Sequence, residues 1–181
     1  EGLEAVLSEA LADGRVQDAV ISQSLAQFEQ LWALREHISA AQSHEGKNIK
    51  HDISVPISRI GEFIEAASRQ IRQAYPEARL IVFGHLGDGN LHFNVAPHAR
   101  FAQHYDEAFA RDEALVNRLV HDLVAAYEGA ISAEHGIGVL RQAELVRYKQ
   151  PLELQSMRAI KQALDPQDRM NPGKLLPTPY T

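Results

Sequence analysis

GHLGDGNLHFNV, residues 84–95, is the stretch that decides how the sheet of this protein is built. Asp88 and Gly89 favour a type I′ hairpin turn, because both central residues of that turn take a positive φ. With these two residues at the turn centre, His85 lies opposite His92. Directly opposed residues share a face, so the sequence predicts a β-hairpin that presents both imidazoles together.

The hairpin histidines form a candidate metal site. Opposed residues are about 4.5–5.5 Å apart at Cβ, and two imidazoles at that separation can hold one metal ion. Asn94 lies two residues after His92 and therefore projects from the same face. The alternative is a polar hairpin tip with two solvated histidines.

A second stretch, AISAEHGIG at residues 130–138, favours the metal site. Residues 130–133 are predicted to form a short buried strand. Glu134 and His135 follow, and they can serve one site only if the chain turns there, which the two following glycines permit. One carboxylate with two imidazoles makes a His2Glu set with open positions for a substrate. The alternative for Glu134 and His135 is an ordinary charged loop.

Composition narrows the class of protein. The chain has 181 residues, 45% of them hydrophobic, which suits one domain with a core. A net charge of −6 without a run of Lys or Arg argues against a nucleic-acid partner. The absence of cysteine excludes disulfides, zinc–thiolate sites and a cysteine nucleophile. No apolar run approaches the roughly 18 residues of a membrane span, and no signal-peptide pattern occurs at the start.

The predicted elements alternate in the order β-α-β-α-β-β-α-β, with further helices at both ends. This order predicts an α+β fold, a ferredoxin-like sandwich with a mainly antiparallel sheet, helices packed on it and a helical C-terminal extension. The predicted strands are residues 16–22, 49–55, the two hairpin strands and 130–133. The predicted helices include one that starts at Ser24, one that starts near Ser58, one at 105–127, and two between residues 140 and 164.

Arg35 adjoins the apolar face of the helix that starts at Ser24, one turn after Leu31 and Trp32. It is either a snorkelling side chain with its stem on Trp32, or an anion clamp, since a guanidinium holds a carboxylate through two parallel hydrogen bonds. Ser39 lies one turn further on the same side. Lys50 is either a solvated strand lysine or a second cation near Arg35.

Four segments together resemble a known family, the C-terminal substrate domain of FAD-linked 2-hydroxy acid dehydrogenases. Its members include D-lactate dehydrogenase, the FAD subunit of glycolate oxidase and D-2-hydroxyglutarate dehydrogenase. The resemblance covers nearly the whole chain in the same order. The matching segments are LWALRE at 31–36, GHLGDGNLHFN at 84–94, AEHGIG at 133–138, and DP at 165–166 with NPGK at 171–174.

The resemblance implies a role for each candidate residue. His85, His92 and Glu134 would bind a divalent metal, Zn or Mn, and His135 would be the catalytic residue beside the reacting carbon. Substrate contacts would come from four further residues, namely Arg35, Ser39, Lys50 and Asn94. Some members have Thr where this chain has Ser39, which leaves the substrate class open. Asn171 lies in the segment that resembles the part returning to the flavin.

The family's FAD-binding domain precedes this one, and nothing in the sequence resembles it. The resemblance therefore implies that residues 1–181 are a single substrate-binding domain of a larger cytoplasmic flavoenzyme, inactive without its FAD domain. The implied reaction oxidises a small D-2-hydroxy acid to the 2-oxo acid. The resemblance does not identify the electron acceptor, and it does not decide whether the protein forms a homodimer. One rival is a free-standing metal-dependent hydrolase or lyase that uses the His2Glu set. The other is a non-catalytic binding or scaffold domain.

Overall fold

The computed structural model describes residues 2–44, 46–97 and 111–177. The chain divides into two compact units, Glu1–Glu45 and Gly46–Thr181. Each unit is described here by itself.

The first unit is helical, with α1 at Gly2–Ala12, α2 at Leu25–Glu36 and α3 at Ile38–His44. The predicted start of α2 is confirmed, because the Ser24 hydroxyl accepts a hydrogen bond from the Gln27 backbone N–H at 3.2 Å. The strand predicted at residues 16–22 is wrong. That segment is irregular, and no described strand lies alongside it to complete a ladder.

The second unit contains a three-stranded antiparallel sheet in the order β1-β3-β2. Its strands are β1 at Asp52–Ser54, β2 at Arg79–His85 and β3 at Asn90–Ala96. The strand predicted at 49–55 is therefore shorter, although Ile49 still forms an isolated bridge with Val95. The strand predicted at 130–133 is reduced to one bridge between Ala130 and Ser54.

The α+β class with an antiparallel sheet is thus confirmed. A ferredoxin-like sandwich is not confirmed, because two of the predicted strands are absent or reduced to bridges in the described part of the chain. Among the described residues of this unit, the helices are a 3₁₀ turn at Ile57–Arg59, α4 at Ile60–Ala74, α5 at Glu113–Ala126, α6 at Gln142–Tyr148 and α7 at Pro151–Leu164.

The helix predicted at 105–127 is observed from Glu113 onward, and its predicted start lies outside the described residues. None of the helices within residues 2–44, 46–97 and 111–177 combines the length and the apolar character that crossing a membrane requires.

One face of the sheet forms the core with α4 and α5. Phe93 of β3 meets Phe63 of α4 edge to face, with ring centroids 6.1 Å apart, and both side chains are fully buried. Burying one such side chain contributes about 1.5–3 kcal/mol. The other apolar members of this core from the sheet and its flanks are Ile49, Ile53, Val55, Leu91 and Val95.

The hairpin register differs from the prediction. His85 pairs with Asn90 and Phe83 pairs with His92, so residues 86–89 form a four-residue connection instead of a two-residue turn. The shift amounts to two residues on one strand, which is a full period of strand side-chain alternation. His85 and His92 therefore still share a face, but they lie diagonally rather than directly opposite.

Candidate functional site

The sheet face opposite the core carries a row of polar side chains. On β3, Asn90, His92 and Asn94 alternate with the buried Leu91 and Phe93. Because strand side chains alternate in direction, the three polar residues project away from the core.

Both neighbouring strands add to this polar face. Asp52 of β1 is the register partner of His92, and His85 of β2 is the partner of Asn90. The Ile49–Val95 bridge continues the same register, which places Lys50 opposite Asn94. Two of the predicted substrate residues and both hairpin histidines therefore occupy one face.

The segment with Glu134 and His135 turns back onto this face, which is the condition under which the two side chains can serve one site. Gly136 and Gly138 have φ of +75° and +58°, values that residues with a Cβ rarely adopt. The backbone N–H groups of Glu134 and His135 donate to Asp52 Oδ2 at 3.0 and 2.8 Å. The turn is thus hydrogen-bonded to the carboxylate of β1.

Hydrogen bonding controls the ionisation of that carboxylate. Burial by itself would raise the pKa of Asp52. The backbone N–H groups of His135, Glu134 and Ala133, together with the nearby His135 ring, outweigh burial and hold the pKa below its ordinary value. Asp52 is therefore an anion although its side chain is almost fully buried.

Glu134 lies between the two hairpin histidines. Its Oε1 is 3.5 Å from His85 Nδ1, and its Oε2 is 3.9 Å from His92 Nε2. The side-chain amide of Asn90 donates to Oε1 and so orients the carboxylate. Ligand atoms that share one tetrahedral ion at about 2.1 Å are about 3.4 Å apart. The donor set therefore suits a divalent ion such as zinc or manganese.

A different trio is closer together. Asp52, His92 and His135 each offer a ligand atom within 4.8 Å of the other two, and no other trio of described residues does so. Joining His85, His92 and Glu134 around one ion accordingly requires a side-chain adjustment, which the half-exposed His85 at the end of its strand permits. Asp52 is the poorer ligand because both its oxygens already accept backbone hydrogen bonds.

The two rings nearest the turn are held differently. His92 is mostly buried between Phe83, at a ring-centroid distance of 4.8 Å, and His135, at 5.7 Å. His135 keeps 61% of its side chain exposed and lies with Nδ1 3.7 Å from Asp52 Oδ2. An exposed imidazole beside a candidate metal site can exchange a proton with a bound molecule.

The remaining predicted residues lie elsewhere in the chain. Arg35 and Ser39 belong to the first unit, where the Arg35 guanidinium carbon is 6.0 Å from the centre of the Trp32 ring. Asn171 is exposed, has φ of +52° and begins a tail whose Leu175 backbone N–H donates to the Gly138 carbonyl at 2.9 Å.

Sequence reasoning missed Asp52 and Asn90 as site residues. Asn90 lies inside the GHLGDGNLH motif, so its position among glycines and histidines was a usable signal. Asp52 carried a weaker sequence signal, namely a carboxylate on the polar side of an alternating strand. Its partners are more than 80 residues away, as in the hydrogen bond to His135.

Comparison with known proteins identifies the family of this chain. The model of the family "FAD linked oxidases, C-terminal domain" matches residues 1–175. The chain therefore belongs to this family.

Several relatives are named D-2-hydroxyglutarate dehydrogenase. The chain is 39% identical to the one from Stutzerimonas stutzeri over 94% of its own length and 36% of the relative. It is 40% identical to that of Xanthomonas citri pv. viticola over 96% and 36% of the two chains. It is 37% identical to the mitochondrial protein of Bos taurus over 98% of its own length and 31% of the relative. The chain thus spans about a third of the length of these curated relatives.

Proposed function

We propose that this chain is the substrate- and metal-binding domain of an FAD-dependent dehydrogenase that oxidises a D-2-hydroxy acid to the 2-oxo acid. The observation that carries the proposal is the polar sheet face, where His85, His92 and Glu134 approach one another beside His135. The family match and the names of the relatives support the same reaction. A substrate of the 2-hydroxyglutarate type is proposed over lactate and glycolate, on the strength of those names.

The proposal assigns a metal to the donors that suit it. His85, His92 and Glu134 would hold zinc or manganese, with Asn90 fixing the Glu134 carboxylate. When bound, the metal would lower the pKa of the substrate hydroxyl, and FAD, supplied by a separate domain of the same polypeptide, would accept the hydride.

The proposal assigns the other roles to side chains that would contact the substrate. His135 would accept the hydroxyl proton, because its ring is exposed and adjoins His92. Arg35 and Lys50 would bind carboxylates, which suits a dicarboxylic acid. Asn94 and Ser39 would each contact the substrate, and Asn171 would lie beside the flavin. A cytoplasmic location remains part of the proposal, although some relatives are named mitochondrial.

The metal site also favours a second candidate, a metal-dependent hydrolase or lyase in which the same three residues activate water. The two functions differ in their need for flavin. A hydrolase would act without FAD and without an electron acceptor, whereas the dehydrogenase needs both.

The test uses the polypeptide that contains this chain together with its flavin-binding domain. We expect it to reduce an artificial electron acceptor with D-2-hydroxyglutarate, to lose this activity to a chelator and to regain it with Zn²⁺ or Mn²⁺. Glu134→Gln should lower both metal content and rate. Glu65→Gln, the same change at an exposed position of α4, should alter neither. Turnover without flavin would favour the hydrolase, and a preparation that never binds metal would favour a scaffold domain.

A further inference from the structure

Asp52 is a buried carboxylate at the centre of the polar sheet face. Its side chain is 1% exposed, and it is the register partner of His92. Burying an ionised carboxylate is costly unless hydrogen bonds replace its water. The surroundings of Asp52 must therefore supply donors.

The donors come from one short segment. Asp52 Oδ2 accepts the backbone N–H groups of Ala133 at 3.2 Å, Glu134 at 3.0 Å and His135 at 2.8 Å. The Ser132 hydroxyl donates to the same oxygen at 3.3 Å. Successive backbone N–H groups that converge on one anion form a concave anion-binding turn. Here the anion is a side chain of the protein.

This arrangement determines where two neighbouring side chains point. On an extended strand Glu134 and His135 would project to opposite faces. Around Asp52 the chain instead turns, and Glu134 meets both hairpin histidines while His135 stacks on His92. The Asp52 backbone carbonyl also accepts from Ala133 N–H at 3.2 Å, so both parts of this residue hold the same turn.

We infer that Asp52 is a positioning residue. It templates the turn that brings Glu134 to the metal and His135 to the substrate, and it does not itself bind the metal. The roles of Glu134 and His135 in this inference rest on the proposed function. The hydrogen bonds that form the template all lie within the chain itself.

Asp52→Asn is the decisive variant, because it keeps the shape and replaces one acceptor oxygen with a donor that opposes the N–H groups. Asp122→Asn is the matched control. Asp122 lies on α5, accepts a hydrogen bond from the Tyr148 hydroxyl at 2.7 Å and has no hydrogen bond to the turn. Circular dichroism establishes that each variant is folded. If Asp52→Asn does not fold, Asp52→Glu takes its place, because the longer side chain keeps the charge but displaces the turn.

The first readout uses the 181-residue chain without metal. Amide hydrogen exchange at residues 133–135 should accelerate roughly tenfold or more in Asp52→Asn, whereas exchange within α4 should not change. Asp122→Asn should match the wild type at both places. Unchanged exchange at residues 133–135 in the Asp52 variant would overturn the inference, whatever the metal results.

The second readout is Co²⁺ binding, followed by its visible absorption spectrum. The affinity of Asp52→Asn should fall roughly 10–100-fold, as expected when a group that orients metal ligands is removed. If the variant loses Co²⁺ while its metal-free exchange stays normal, Asp52 is a ligand and the positioning role is wrong. If the wild type binds no Co²⁺, the proposed function fails, and the exchange result alone decides the role of Asp52.

Discussion

Acidification should destabilise the second unit through a buried histidine, His51. This side chain is fully buried, and its Nδ1 lies 2.6 Å from the Phe93 carbonyl oxygen, so Nδ1 carries the proton that it donates. Burial lowers the pKa of His51 from 6.5 to about 3, and the charges of His121 and Arg141 act in the same direction. Hydrogen bonds to Phe93 and Asn117 oppose that shift only in part.

The direction of the pH effect on stability follows from comparing proton uptake by the folded and the unfolded chain. Below pH 6.5 the unfolded chain takes up a proton at His51, whereas the folded chain does so only near pH 3. The free energy of unfolding therefore falls as the pH drops from 6.5 towards 3. By pH 5 the loss from His51 is about 2 kcal/mol, from about 1.4 kcal/mol for each pH unit below 6.5. Burial also lowers the pKa of His121, so it contributes with the same sign.

The perturbation is His51→Asn, which removes the titrating group. Urea denaturation at pH 8 and pH 5 gives the stability change of each protein, and far-ultraviolet circular dichroism follows both units. Trp32 is the single tryptophan, so its fluorescence reports the first unit separately. Between the two pH values the wild type should lose about 2 kcal/mol more than His51→Asn.

His44→Asn is the control, because the His44 side chain is exposed before and after unfolding. It should keep the wild-type dependence on pH. Equal losses in the wild type and His51→Asn would refute the reasoning, since His51 would then titrate alike in the folded and unfolded chains.

In the proposed dehydrogenase, prepared as a polypeptide that also contains the flavin-binding domain, His135→Ala should lower kcat about 10²–10⁴-fold with little change in KM. The reason is that the proposed proton acceptor acts only as the reaction proceeds, and a near-normal kcat would place the base elsewhere. Arg35→Ala should raise KM about 10–100-fold, because it removes a charged hydrogen bond to a substrate carboxylate. An unchanged KM would mean that Arg35 only packs against Trp32 and does not bind the substrate. Gly84→Ala should destabilise the unit by about 1–3 kcal/mol in urea, because its Cβ would overlap the Asn90 carbonyl; Gly87→Ala, where the space is open, is the control, and equal stabilities would contradict this.

The hairpin shows how far local patterning reaches. Pairing outward from the predicted turn at Asp88 and Gly89 placed His85 and His92 on one face, and the structure agrees although the register is shifted. The length of the connection was not predicted correctly. Gly89 has φ of +77° and its carbonyl accepts the Val55 N–H at 3.1 Å, so the end of β1 contributes to the shape of the turn.

The wrong strands have a related cause. Residues 16–22 contain β-prone side chains, and residues 130–133 are apolar except for Ser132, but a strand exists only where a neighbour completes its hydrogen bonds. Ala130 finds one such partner, Ser54, and forms only a bridge. Propensity within one segment carries no information about that partner.

The sequence by itself determined which groups are candidates for chemistry here, namely two histidines on one face of a hairpin and a Glu-His pair at a glycine-rich turn, because these depend on residue type and short spacing. Only the tertiary structure decided that they meet. Asp52 lies more than 80 residues before His135, and its carboxylate orders the turn through backbone N–H groups that every residue except proline possesses. Such a contact leaves no pattern in the sequence, because the donors are independent of side-chain identity.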